Sequence, residues 1–389
     1  MRSAVSQHAK RSSCRRLAVP VAAVLWLAAA AMAQEQPPAP AVTAVESPPL
    51  YVTDGTGFAA VPGGVAAEML PTWPRWFGGA NGLVMTRTLP AGAATMQPVG
   101  GVQLTTADAG ATWPGGVDLR LGRWFGDHQQ HAVELIYWGI YNLGTAASVT
   151  ASPPTIDAIP QAPGATIGGT AASAFLDNAA AQQIGRADVV NDIEINWVYS
   201  LWERPEFLPR DRSVNLMWLA GFRFFEVNDI LTLTSTPANA ALGQAQVGVA
   251  TNNNIYGGQV GAKFDWMFLP RLRFNVVPKF MIGGNSITNT TSLASAAGTT
   301  GLFADATPAS VHSTLGVFSW LGSVDTGLAW DVTDRWSLML GYRVVGVGNI
   351  AQADGQWPVL LASPATIPGL TAGSSTIVHG GFAGFEGRW

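Results

Sequence analysis

Beyond residue 72 the chain is a succession of segments in which apolar and polar residues alternate with period two. No apolar run there approaches the ~18 residues of a membrane-crossing helix. Period two is the mark of a strand, because successive side chains leave its two faces in turn. In 117–125, Val117, Leu119, Leu121 and Phe125 share one face, and Asp118 and Arg120 the other. In 192–201, Ile193, Ile195, Trp197, Tyr199 and Leu201 oppose Asp192, Glu194, Asn196 and Ser200. In 256–268, Tyr256, Val260, Phe264, Trp266 and Phe268 oppose Gln259, Lys263 and Asp265. Residues 272–282, 320–332 and 336–344 follow suit, with Arg273, Asn275 and Lys279, then Ser323, Asp325 and Asp331, then Ser337 and Arg343 on their polar faces. Segments 76–88, 131–143 and 213–226 are strand-like but apolar on both faces, so alternation does not orient them. A last strand is expected near 376–389, and Pro278 predicts a bulge or distortion inside 272–282.

The joins sort by length. Those near 126–130, 203–212, Pro270 and Thr333-Asp334 are short, while 89–115, 144–190, 227–252, 285–316 and 349–375 are long. Tight periplasmic turns alternating with extended outer loops are the pattern of a barrel that crosses a membrane. The expected fold is therefore all-β: an antiparallel up-and-down transmembrane β-barrel of about ten strands, eight or twelve being the alternatives, with long outer loops. Closure is what allows strands to cross lipid, since no backbone donor or acceptor is left without a partner. A soluble β-sandwich is the rival reading.

The polar faces then line the lumen. Its expected charges include Asp118, Arg120, Asp192, Glu194, Arg223, Lys263, Arg273, Lys279, Asp325 and Arg343, joined by Glu134, Asp265, Asp331, Glu386 and Arg388. The near balance of sign points to ion pairs. Barrels of about eight strands are filled by side chains and open channels come at roughly 16–18, so ten strands favour a filled lumen. Phe125, Phe268, Phe274, Trp330, Trp336 and Trp389 fall beside the short joins, where an interfacial aromatic girdle belongs. Phe385 and Trp389 lie on one face of the last strand and read as a signal for outer-membrane assembly.

Residues 1–33 have the layout of an export signal. Arg2, Lys10, Arg11, Arg15 and Arg16 precede an apolar run from Val19 to Met32, and Ala31-Met32-Ala33 suits a signal peptidase. Residues 34–72, with Pro37-Pro38, Pro40 and Pro48-Pro49, read as a periplasmic linker or tail, leaving 73–389 as the barrel domain. Loss of those five basic residues leaves acids in clear excess, which argues against nucleic acid as a partner. The expected partners are membrane lipid and the outer-membrane assembly machinery, with the external ligand left open. Cys14 is the only cysteine and lies in the leader, so the mature chain carries no disulfide framework. Charged residues make up 12% of the chain, about half the ordinary globular share, which suits a chain largely in contact with lipid.

No phosphate loop, H-E-x-x-H or hydrolase Ser elbow occurs. The five histidines are too scattered for a metal cluster. No cofactor is expected. Asp305 and His312 could be imagined as an acid/base pair on the outer rim, but residues in such a Ser/Thr/Ala stretch are far more often solvated surface. No catalytic residue is assigned.

Several stretches resemble a known family. They are Arg75-Trp76-Phe77-Gly78-Gly79-Ala80, Leu119-Arg120-Leu121-Gly122-Arg123-Trp124-Phe125-Gly126, Val133-Glu134-Leu135-Ile136-Tyr137-Trp138-Gly139 and Gly221-Phe222-Arg223-Phe224-Phe225-Glu226. Asn252-Asn253-Asn254-Ile255-Tyr256-Gly257-Gly258-Gln259, Gly341-Tyr342-Arg343 and His379-Gly380-Gly381-Phe382-Ala383-Gly384-Phe385-Glu386 complete the set. In order and spacing they are similar to the planctomycete outer-membrane β-barrels, over roughly Trp73 to Trp389. The resemblance implies an outer-membrane barrel without an established molecular activity, so it carries over no functional residue. Residues 144–190 are its least family-like part. Three functions compete: a structural or surface-interaction barrel, a narrow porin for small solutes, and an outer-membrane hydrolase.

Overall fold

The computed structural model describes residues 74–98, 102–126, 128–151, 156–202 and 213–389. The expected leader (1–33) and linker (34–72) lie outside them. Ten long strands follow one another: β1 Trp76–Arg87, β2 Gly115–Phe125, β3 His131–Tyr141, β4 Ala179–Ser200, β5 Val214–Pro237, β6 Ala245–Leu269, β7 Leu272–Ser295, β8 Ser310–Asp331, β9 Trp336–Ile350 and β10 Ser374–Arg388. Each pairs antiparallel with its neighbours in sequence, and β1 pairs with β10 from Phe77↔Arg388 to Arg87↔Val378. The ring is closed. A short strand, Ala146–Thr150, adds to β4 above the end of β3.

The two faces separate as the alternation requires. Phe222, Trp218, Val260, Trp266, Phe280, Phe318, Trp330, Leu338 and Leu340 point outward and are exposed, whereas Arg223, Glu194, Asp192, Lys263 and Lys279 point inward and are buried. The aromatics are not enclosed between two sheets, which rules out the sandwich. Aromatic rings also cover glycines in the ladder: a Cβ on Gly387 would meet the Trp336 ring at 2.8 Å, so that position has to stay bare.

Two expectations about the joins need correction. Residues 227–252 and 285–316 are mostly not loop, because β5, β6, β7 and β8 run on through them, leaving only 238–244 and 296–309. β4 likewise begins at Ala179, inside the expected loop 144–190. The physical reason is an inversion of polarity along the strands. On β5 the outward series changes from Trp218, Ala220, Phe222 and Phe224 to Asn228, Thr232 and Thr234, while the inward series becomes Leu231 and Leu233. Such a segment is polar outside and apolar inside, as in a water-soluble barrel. A membrane needs ~9–11 residues of a tilted strand, so strands of 24 and 25 residues rise well beyond it.

At Pro278 the expected irregularity takes the form of a distortion and not a bulge. The β6–β7 register is the same on either side of it, and the shift lies instead at Leu272/Arg273. Pro278 faces outward on β7, and pairing with β6 is interrupted only at Val277 and Pro278.

Outward exposure of Leu340, the largest among the apolar residues of β9 at 64%, gives a direct test. Leu340→Lys should cost about 2–4 kcal/mol if that face meets the bilayer midplane. Heat-modifiable gel migration after folding into lipid vesicles measures it; a water-exposed position would show almost no change.

Candidate functional site

The inside of the barrel is a stack of alternating ionic and apolar layers. Beginning at the end with the short joins, Arg273 of β7 reaches toward Asp265 of β6 (3.8 Å), Asp331 of β8 (3.6 Å) and Glu386 of β10 (3.5 Å). Beside it, Phe77, Trp124, Val198, Met217 and Leu219 form an apolar cluster.

The central layer joins every remaining inward charge expected from sequence except Arg388. Glu134 receives Arg120 (2.6 Å) and Lys263. Glu194 receives Lys279 at 2.8 Å, with Gln259 and Asn196 each donating at 2.9 Å. Arg223 binds Asp192 at 2.6 Å and donates to Ser323 at 3.1 Å. Arg343 forks onto Asp325 through Nε and Nη2 at 2.7 and 2.8 Å, and reaches Asp118 at 2.7 Å. With Arg273 of the first layer, all ten candidates of the polar face thus point into the lumen. Two cavities of about 60 Å³ remain among them, one lined by Arg273, Asp265, Asp331 and Glu386, the other by Glu134, Lys279, Asp325 and Arg343. Each has room for a few waters.

Above the central layer lies a second apolar plug of Met85, Trp138, Ile140, Phe225, Ile255, Met281, Leu321, Val345 and Phe382. It explains the segments that are apolar on both faces: β1, β3 and β5 supply this plug from one side while presenting apolar residues outward from the other.

Next comes an ionic layer that the sequence reading missed. Arg87 of β1 meets Asp188 of β4 at 2.8 Å and Asp229 of β5 at 2.9 Å, and Arg186 of β4 meets Asp229 at 2.8 Å and Asp354 at 2.7 Å. Asp354 belongs to the outer join 351–373, and Arg186 also donates to the carbonyls of Ala109 (3.0 Å) and Thr106 (3.3 Å) in the join 88–114. Asn253 on β6 grips the backbone of Ala351 in both directions, at 2.7 and 2.9 Å. Two outer joins are thereby drawn into the barrel mouth. A signal was available: Arg186 and Asp188 continue the inward parity of Asp192 and Glu194, and Asp229 that of Arg223.

The mouth itself is an apolar core. Met96 and Leu104 from the join 88–114, Ile156, Phe175 and Leu176 from 142–178, Phe303 from 296–309, and Trp357 and Leu361 from 351–373 pack on Leu231, Leu233, Val247, Val249 and Leu293 of the raised strands.

The other sequence candidates stand apart. Phe385 and Trp389 are on the outward face of β10, exposed by 46% and 43%. Asp305 accepts from the hydroxyl of Thr307 at 2.6 Å, which holds its carboxyl below the ordinary range, while Nδ1 of His312 lies 3.2 Å from the Thr290 hydroxyl. They have different partners. Among the described residues no group of three His, Cys, Asp or Glu is placed to hold a metal.

In the upper layer two guanidinium groups face three carboxylates, so the negative charge is in surplus. Asp229→Asn weakens both arginines at once and should destabilise by about 3–5 kcal/mol, the range for breaking a buried pair. Asp188→Asn removes the surplus and should cost much less. Thermal unfolding of the two variants in detergent separates these outcomes.

A family model described as "Putative beta barrel porin-7" matches residues 79–375. Among solved structures, the chain is similar to the outer membrane protease OmpT from Escherichia coli, at 10% identity and TM-score 0.45, over 82% of this chain and 98% of that one. It is also similar to the P. putida toluene transporter TodX, at 7% identity and TM-score 0.29, over 82% and 91%. The Ralstonia pickettii toluene transporter TbuX follows at 9% identity and TM-score 0.29, over 82% and 90%. No curated protein matches the chain.

Proposed function

The chain belongs to the family of outer-membrane barrels described as "Putative beta barrel porin-7", and from that premise we propose a structural or surface-interaction role with a lumen that stays closed. One observation carries this reading: layers of side chains fill the barrel from end to end, and four outer joins pack an apolar core into its mouth. An ion crossing it would have to pass the apolar clusters as well as the paired charges. The surface left for contact is the outward rim of the raised strands and the outer joins. Membrane lipid is the partner of the exposed apolar belt, and the outward aromatic pair Phe385 and Trp389 is the element we assign to the assembly machinery. No catalytic role is assigned, since Asp305 and His312 do not meet.

A narrow porin is the second reading, favoured by the two small cavities among the lumen charges. Planar bilayers decide between them. The folded protein should give little conductance, with Asp325→Asn and Arg343→Gln as silent as the parent. Steady conductance whose ion selectivity follows those two substitutions would overturn the closed-lumen reading and establish the porin.

A further inference from the structure

The basic residues of the barrel are distributed with extreme asymmetry. Residues 88–119, 142–185, 224–262, 280–334 and 344–387 contain no Lys or Arg at all, and together they include every outer join. The two arginines of the outer part, Arg87 and Arg186, have side chains with no solvent exposure. The outer surface therefore presents acids such as Asp108 and Asp305 and no accessible cation. At the opposite end, the rim of short joins carries exposed Arg75, Arg123, Arg271 and Arg335.

Arg123 is the distinctive member. It lies on β2 in the outward series of Leu119, Leu121 and Phe125, so its charge is on the side of the barrel that meets lipid. Its guanidinium sits 5.2 Å from the Trp76 ring and 5.5 Å from the Phe125 ring, and no carboxylate pairs with it among the described residues. Aromatic faces on both neighbouring positions hold the cation by its π-contacts while leaving its N–H edge available. Register places Trp76 directly opposite Arg123. A planar donor edge at the aromatic girdle suits a phosphate oxygen, and interfacial arginines attract anionic head groups.

We infer that Arg123, framed by Trp76 and Phe125, forms a binding site for the phosphate head group of an anionic phospholipid at the short-join rim of the barrel. Its acyl chains would lie along the outward apolar face of β1 and β2, where Ala80, Gly82, Val84, Leu119 and Leu121 point. The site does not depend on whether the lumen is open or closed.

The test uses the full folded chain in detergent, offered equal amounts of phosphatidylglycerol and phosphatidylcholine, with bound lipid read by native mass spectrometry. The wild type should retain phosphatidylglycerol preferentially, by about fivefold for the arginine engaged, and the preference should collapse as salt is raised. Arg123→Gln should bring retention to parity, and Arg123→Lys should keep part of the preference. Heat-modifiable migration reports whether each variant is folded; should Arg123→Gln fail that check, the wild-type salt titration decides alone. No preference in the wild type, or one indifferent to salt, overturns the site, as does undiminished preference in folded Arg123→Gln. Displacement of the lipid by millimolar inorganic phosphate would overturn the assignment to a lipid and leave a general anion site.

Discussion

The ladder from Phe77↔Arg388 to Arg87↔Val378 joins the first strand to the last, and without it two rows of amides and carbonyls would face hydrocarbon. Closure with ten strands in turn fixes the width of the interior. At that width the inward side chains from opposite walls reach one another, as Arg343 of β9 reaches Asp118 of β2 and Lys263 of β6 reaches Glu134 of β3. The lumen is thus a core of an unusual kind. It has to be packed, yet it is built on strands whose other face is already the most apolar surface of the molecule.

Alternating layers are the solution this sequence adopts. An all-apolar interior would leave little to distinguish one face of a strand from the other, and the pattern of period two would lose its meaning. An all-ionic interior would place many charges in a medium where each carries a desolvation cost of several kcal/mol. Here each buried acid of the central layer meets a guanidinium or ammonium group. The intervening layers are closed by large side chains such as Trp138 and Phe225, whose rings lie 5.9 Å apart. Arg343 links the two kinds of layer, its guanidinium lying 5.1 Å from the Trp138 ring while it binds Asp118 and Asp325.

Much of this was legible in the sequence. The ten strands, the antiparallel order and the inward charges all follow from parity, because one polar residue in an otherwise apolar alternation is enough to orient a strand. Legibility failed where that contrast changed character. Beyond the apolar belt the outward residues become Thr, Asn and Ser, so Asn228 to Thr234 and Ser286 to Ser292 look like loop although they are strand, with Leu231 and Leu233 beside Asp229 on one inner face and Ile287, Asn289 and Thr291 on the other. The same misreading hid Arg186, Asp188 and Asp229, which fell in segments assigned to outer joins. The partner Asp354 could not have been found from alternation at all, since it reaches the layer from a loop.

The charges also determine which way each strand can lie. Shifting β5 by one residue relative to its neighbours would turn Arg223 outward and carry Trp218 and Phe222 into the lumen. A basic side chain on the outward face near the midplane costs about 2–4 kcal/mol, and Asp192 would at the same time lose its 2.6 Å partner. The indole of Trp218 and the phenyl of Phe222 would also have to enter an interior whose cavities hold only a few waters. Strands with no charge in their membrane-crossing part cannot register themselves in this way. β1 is such a strand until Arg87, and it lies between β2, which carries Asp118 and Arg120, and β10, which carries Glu386 and Arg388. The register of the ambiguous strands is thus imposed by charged neighbours through the ladder. A lumen of ion pairs can therefore be required by assembly of a unique barrel whether or not anything ever passes through it.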